Sequence, residues 1–223
     1  MKEYILIECS EEIVEKNKIA NDFNEIASDF NDSEKIFKDI DNCVTFFGSA
    51  RIQQDNRFCK LAEKLAFNLN KKGINIVTGG GGGIMEAANR GAYDANTAES
   101  IGLNIIIPVE QKLNLYTTRS HTFNYFFSRK YMLVKHSSAC VVFPGGYGTL
   151  DELFEIIILV QTQKIENLKI YLYDTEFWKN MLIFLEGTLV KENMISIDEL
   201  DILTLSDDIE FIEKDILKLF NKN

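Results

Sequence analysis

Val142-Phe143-Pro144-Gly145-Gly146-Tyr147-Gly148-Thr149-Leu150-Asp151-Glu152 sets an apolar run, a glycine-rich turn and the opening of an apolar segment back to back. Upstream, Ile76-Val77-Thr78-Gly79-Gly80-Gly81-Gly82-Gly83-Ile84-Met85-Glu86 has the same build. A strand that ends in glycines and runs straight into a helix is the repeating unit of open parallel sheets. Outward from these two stretches, short runs rich in β-branched and aromatic residues fall at Cys43–Phe47, Ile74–Val77, Ile101–Ile107, Ala139–Phe143 and Leu168–Tyr173. Helix-length segments lie between them, at Phe58–Lys71, Ile84–Ala95, Phe123–His136 and Leu150–Gln163. The alternation predicts an α/β protein, a Rossmann-like doubly wound parallel sheet with helices on both faces. Unbroken apolar runs suit strands covered on both sides.

Residues 1–41 read differently. They hold twelve acids and five bases, so 7 of the 10 net negative charges of the 223-residue chain sit there. Ile13, Ile19, Phe23, Ile26 and Phe30 recur at roughly helical spacing, which predicts one or two amphipathic helices against the main body. The expected division is a helical extension over 1–41 and a nucleotide-binding catalytic domain over 42–223. Beyond the last strand run, Thr175–Glu186, a piece after Ser196 and a helix opening at Ser206 read as helical closure. Ser196 and Glu199 have capping-box spacing.

A net charge of −10 argues against a broad nucleic-acid surface, though an acidic protein can still build a local anion site. Cys9, Cys43, Cys59 and Cys140 are scattered without CxxC spacing, and read as reduced thiols in a cytoplasmic protein. The start, MKEYILIECSEE, does not read as a signal peptide, and no apolar run is long enough to span a bilayer. His121 and His136 have no partner at metal-ligand spacing, so neither a metal nor a cofactor is expected.

The two glycine stretches carry the chemistry. Without Cβ atoms a backbone can approach an anion closely, and the free N–H groups and dipole of a helix start then favour phosphate. A tight strand–helix turn on its own needs only one or two glycines. The dinucleotide fingerprint GxGxxG fails in every register, because its third glycine falls on Ile84, Met85 or Glu86. The first strand run ends instead in Gly48-Ser49-Ala50-Arg51, and no GxxxxGK[ST] occurs. A mononucleotide fits better than NAD or ATP.

Pro144-Gly-Gly-Tyr-Gly-Thr149-Leu-Asp-Glu152 resembles the PGGxGTxxE motif of the LOG family, the cytokinin-activating nucleoside-monophosphate phosphoribohydrolases. Phe127-Ser128-Arg129-Lys130 resembles the family's paired Arg-Lys one helix and strand upstream, and the loop Thr78–Met85 with Glu86-Ala-Ala-Asn89 its other signature. The likeness covers Cys43 to Tyr173. The form TGGGGGIMEAAN and the Gly102-Leu103-Asn104 strand look more like the bacterial branch acting on AMP and similar nucleotides. Many members once bore the label "lysine decarboxylase". The resemblance implies a nucleoside 5′-monophosphate substrate, of the AMP or cytokinin riboside type, and at least a homodimer.

It also implies roles. Glu152 would contact the ribose near C1′ and stabilise the positive charge that develops as the N-glycosidic bond breaks; its residue-level alternative is a helix cap three positions after Thr149. Arg129 would be catalytic or substrate-holding, a charge clamp rather than an acid; its alternative is a surface ion pair. Lys130 is a candidate for the same neighbourhood. Thr149, with the backbone of Gly145, Gly146, Tyr147 and Gly148, would hold the 5′-phosphate, with Gly80, Gly81, Gly82 and Gly83 approaching from the facing loop. Ser49 would touch the nucleotide or serve as a turn serine. Glu86 and Arg90, four apart, read as a helix ion pair, and Asp151 is one candidate to protonate the departing base. The aromatic residues of Phe123–His136 are expected to face the core, and the all-apolar helix Leu150–Gln163 to lie in the core or in a subunit interface. The alternative function is a non-catalytic nucleotide or molybdenum-cofactor carrier on the same fold. A pyridoxal-phosphate decarboxylase would need a Schiff-base lysine in a recognisable setting, which is not evident.

Overall fold

The computed structural model describes residues 21–108 and 112–220. Seven strands form one sheet: β1 (Cys43–Phe47), β2 (Asn75–Thr78), β3 (Ser100–Ile105), β4 (Arg119–Phe123), β5 (Ser137–Val142), β6 (Lys169–Tyr173) and β7 (Leu203–Ser206). Their spatial order is β4-β3-β2-β1-β5-β6-β7, and every neighbouring pair is parallel. The chain builds outward from β1 to β4, returns to place β5 on the other flank of β1, and builds outward again. The order therefore reverses between β1 and β5, which opens a crevice beyond their carboxyl ends.

Helices cover both faces, as the alternation predicts. α2 (Arg57–Asn70), α3 (Ile84–Ala95) and α7 (Ile209–Phe220) pack on one face, where Leu65, Ala87 and Ile212 meet Val44, Ile76 and Val141. On the other, α4 (Phe126–Lys135), α5 (Tyr147–Gln161) and α6 (Thr175–Phe184) bring Leu133, Leu153 and Trp178 against Phe47, Leu103 and Val142. The strand residues split between the two clusters by alternation along each strand.

Two edge strands were not expected. β4, Arg-Ser-His-Thr-Phe, is an edge strand with only Phe123 buried, and it occupies the start of the segment read as the helix Phe123–His136. β7 is the opposite edge, four residues long and half-buried throughout. The last helix opens at Ile209 rather than Ser206, which ends β7; Asp208 accepts from Glu210 N–H and Phe211 N–H at 2.9 and 3.1 Å. The Ser196–Glu199 capping box is present, at the head of a 3₁₀ turn over Ile197–Ile202.

Before β1 lies α1, described over residues 21–36. Ile13 and Ile19 fall outside the described residues; of the rest of the expected stripe Phe23 is exposed, Ile26 is half-buried, and Phe30 packs on the core and edge-on to Tyr131. Asp29, Ser33, Phe37 and Ile40 are the buried positions instead, and Phe37 stacks on His136 with ring centroids 4.2 Å apart. Arg119 of β4 donates to the carbonyls of Ile36 and Lys38, which ties this segment to the sheet edge. Cys43, Cys59 and Cys140 are free and buried; Cys9 lies outside the described residues. No helix among the described residues is long and apolar enough to cross a membrane.

Candidate active site

The crevice between β1 and β5 holds a cleft of about 540 Å³. Gly48, Ser49, Ala50 and Arg51 after β1 form one wall, and Gly146, Tyr147, Gly148 and Thr149 after β5 another. Gly79 and Met85 close a third side, with Arg129, Asp151 and Glu152 also lining the space.

The opening of α5 is left without a side-chain cap or a first-turn acid, because its cap residue Gly146 has no side chain to bond the first amides and no acid stands in the first turn. The first four N–H groups of a helix have no intrahelical acceptor, and the dipole adds partial positive charge there. Gly146 and Gly148 have no conformational need to be glycine: neither has a positive φ, and an added Cβ would meet nothing within 4 Å at either. Their missing side chains leave room for something outside the chain. Gly145 differs, because a Cβ there would lie 2.1 Å from Thr149 Oγ1 and 3.0 Å from Ser49 N. It is glycine so that the loop after β1 can dock, a contact fixed by Ser49 N–H donating to Pro144 O at 3.1 Å.

One turn into α5, Glu152 is 7% exposed, and Arg129 of α4 is 9% exposed. Glu152 sits well past the cap at Gly146, so it does not serve as a helix cap. Arg129 is no surface residue either: its Nε donates to Leu103 O at 2.7 Å and Nη2 to Gly79 O at 3.4 Å. Its Nη1 lies 3.9 Å from Glu152 Oε1. Burial pushes the Glu152 carboxyl up to about 7, and the nearby Arg129 charge only partly offsets that. Burial likewise pulls the Arg129 guanidinium below its usual range, against the pull of Glu152. A buried cation and a buried acid thus face one cleft without closing into a hydrogen-bonded pair.

The cleft brings together Arg129, Glu152, Ser49, Gly146, Tyr147, Gly148 and Thr149. Gly80, Gly81, Gly82 and Gly83, expected to approach the phosphate from the facing loop, are not among the residues that line it. Gly80 and Gly83 have φ of 68° and 61°, which favours glycine, and a Cβ on Gly83 would strike Ser49 O at 2.1 Å. The carbonyls of Gly80 and Gly81 are held by Asn114, through N–H and Nδ2 at 2.8 and 3.1 Å. Turn geometry and packing account for most of this run. Lys130 also stands apart, bonded to Asp151 at 2.7 Å and Glu155 at 2.8 Å beside the outer face of α5. Arg90 reaches Glu86 only at 3.9 Å, and its shorter bond is to Glu63 of α2 at 2.6 Å.

The aromatic residues of α4 do not face the core as expected: Phe126, Phe127 and Tyr131 are about half exposed. The helix is rotated so that Ser128, Arg129, Met132 and Leu133 point inward. Gly79 was missed as a distinct part of the site. A Cβ on it would stand 2.2 Å from Arg129 Nη2, so its absence is what admits the guanidinium. Nothing in a run of five glycines marks the first as different.

An all-parallel sheet whose reversal point carries an uncapped helix start and a buried Arg–Glu pair defines a Rossmann-like α/β protein with a cleft at its topological switch point. A family model described as "Possible lysine decarboxylase" matches residues 85–216. "Probable cytokinin riboside 5'-monophosphate phosphoribohydrolase LOG4" of Oryza sativa subsp. japonica is 30% identical over 168 residues, 74% of this chain and 71% of that protein. The bacterial "Cytokinin riboside 5'-monophosphate phosphoribohydrolase" of Rhodococcoides fascians is 23% identical over 150 residues, 66% of this chain and 76% of its own. The chain belongs to this family, the LOG family of phosphoribohydrolases. The molybdenum cofactor binding protein of Rippkaea orientalis shares the fold, with a TM-score of 0.60 and 18% identity over 82% of this chain and 99% of that one.

Proposed function

We propose that the protein hydrolyses the N-glycosidic bond of a nucleoside 5′-monophosphate, of the AMP or cytokinin riboside monophosphate type, to free base and ribose 5-phosphate. The observation that carries this reading is the placement of a buried Glu152 one helical turn beyond an acid-free, uncapped helix start, with Arg129 opposite. The 5′-phosphate seats on the N–H groups of Tyr147 and Gly148, with the Thr149 hydroxyl beside them, the Thr149 N–H being taken by Gly146 O at 3.0 Å. From Thr149 to Glu152 the helix rises about 4.5 Å, a span that a ribose bridges. The anomeric carbon then meets the carboxylate.

As the C1′–N bond lengthens, its electron pair leaves with the base and positive charge builds on the ribose. The Glu152 carboxylate stabilises that charge and orients a water whose oxygen bonds to C1′. One proton of that water ends on the base nitrogen and the other oxygen–hydrogen bond stays with the sugar. Arg129 keeps its proton throughout and serves as a fixed positive charge against phosphate or the departing base. Asp151, on the cleft rim and bonded to Lys130, is placed to relay the proton.

Incubation with AMP, followed by chromatography for adenine, tests the reaction. Base release by the parent chain, lost in Glu152→Gln with nucleotide affinity retained, supports it. Tight binding of nucleotide or molybdenum cofactor without turnover by the parent chain would instead favour a carrier.

We further propose that two copies pair through the outer face of α5. Phe154 and Ile158 are 44% and 51% exposed on a helix read as covered on every side. Sedimentation at micromolar concentration tests it, with dimerisation expected to weaken in Ile158→Asp.

A further inference from the structure

α4 carries Arg129 but is not capped by its own sequence. Its cap residue Tyr125 makes no capping bond through its side chain. Phe126 and Phe127, the first two residues of the helix, are exposed, so apolar packing does little to hold this end. The anchor comes from α1. Asp29, 2% exposed, accepts from the main-chain N–H groups of Asn124 and Tyr125 at 3.0 and 3.3 Å. It also accepts from Asn124 Nδ2 at 3.0 Å and from the Ser128 hydroxyl at 2.8 Å. A carboxylate this deep is stable only when its lone pairs are filled, and here four donors and the positive end of α4 fill them. His121 Nε2 lies 3.8 Å away on β4.

Arg129 follows Ser128 directly, and its N–H bonds the Tyr125 carbonyl at 3.3 Å. The turn that Asp29 grips is therefore the turn that launches the guanidinium toward Leu103 O and Gly79 O. We propose that Asp29 is a positioning residue: its buried carboxylate grips the main chain at the start of α4, where the Tyr125 hydroxyl also donates to Glu25 at 3.2 Å, and so sets where Arg129 stands in the cleft. Its catalytic consequence rests on the hydrolase reading; its structural consequence does not.

The experiment uses Asp29→Ala and Asp29→Asn in the full chain with two readouts. Hydrogen exchange of the Arg129 side-chain Nε–H, followed by ¹⁵N NMR, needs no reaction. It should quicken about tenfold in Asp29→Ala, the scale of one lost hydrogen bond, while β1 and β5 amides keep their protection. Asp29→Asn, whose carboxamide oxygen still accepts from the main chain, should fall between. The second readout is kcat/KM for AMP in a double-mutant cycle. Asp29→Ala should lower it about 10- to 100-fold in the parent, and not further in an Arg129→Ala background.

Unchanged Nε–H protection in Asp29→Ala, or an equal activity loss in both backgrounds, overturns the proposal. Should the parent release no base, the hydrolase reading fails and the Nε–H exchange alone decides the role of Asp29. If Asp29→Ala does not fold, Asp29→Asn and Ser128→Ala supply the same comparison, each expected to loosen Nε–H by a smaller factor.

Discussion

The Arg129 Nη1 atom and the Glu152 Oε1 atom stand 3.9 Å apart, too far for a hydrogen bond, although both residues are buried. Two opposite charges removed from water normally close on one another. Here Leu103 O and Gly79 O hold the guanidinium back, and the carboxyl is left facing the cleft. The result is an acid whose protonation changes in the neutral range, because burial pushes it up to about 7.

A pH profile follows from that. The carboxylate is the form that stabilises a ribosyl cation, so kcat should rise as pH climbs through about 7 and then level. The 5′-phosphate has its own second ionisation near about pH 6, and that step belongs to binding. Measuring nucleotide affinity and kcat separately across about pH 5.5 to 8.5 separates the two. A kcat that stays flat over this range would remove Glu152 from the chemistry.

Gly79→Ala should disable the site without unfolding the protein. Gly79 has no positive φ, so alanine is conformationally acceptable, yet its Cβ would sit 2.2 Å from Arg129 Nη2 and 2.7 Å from Met85 Sδ. Both of those atoms end flexible side chains, so the guanidinium gives way rather than the sheet. A displacement on this scale lowers kcat/KM about 100-fold. The melting temperature should move little, and a variant with parental kcat/KM would show that the Arg129 position is immaterial.

Gly148→Ala is expected to separate stability from binding. The position lies inside α5 with open space where a Cβ would go. Alanine there stabilises the helix by up to about 1 kcal/mol, since it narrows the unfolded ensemble and favours helical backbone. The new methyl, however, enters the space left beside the first amides. Affinity for AMP, and for inorganic phosphate as its simplest fragment, should fall about tenfold by calorimetry while the melting temperature holds or rises. Parental affinity in this variant would place the phosphate elsewhere.

The sheet was readable where burial is symmetric. β1, β2, β3, β5 and β6 are covered on both faces and wrote themselves as apolar runs, whereas the edge strand β4 buries only Phe123 and left no such run, and β7 left only the short alternation Leu203-Thr204-Leu205. The proposed site was legible through Pro144–Glu152, because the uncapped start of α5 and the buried Glu152 lie close together on the same helix. The five glycines from Gly79 are ambiguous in the sequence for a physical reason: glycine serves close packing and positive φ as readily as phosphate, and Gly80 and Gly83 have both of the former. Asp29 was invisible because its partners lie 95 to 99 residues away, and only the fold joins them.

The same buried acid that serves the reaction should weaken the fold. An unfolded glutamate titrates near 4.5, whereas Glu152 in place titrates at about 7. Below the lower value the group is neutral in both states and has no effect. Between the two, the unfolded chain sheds a proton that the folded chain retains, so stability falls as pH rises, and above the upper value the loss is constant. Its full size is about 3 kcal/mol, the free energy of holding that proton across the whole interval. Glu152→Gln abolishes this titration. The carboxamide also packs differently from the carboxyl against Arg129, a difference that does not titrate, so the informative quantity is the pH dependence and not the absolute change. Relative to the parent, the melting temperature of Glu152→Gln should gain several degrees on passing from about pH 5 to about pH 8, given roughly 2–4 °C per kcal/mol for a chain of this size. Scanning calorimetry of both proteins at the two pH values measures it, and an equal offset at both would mean that the carboxyl is ionised in the folded protein at an ordinary pH.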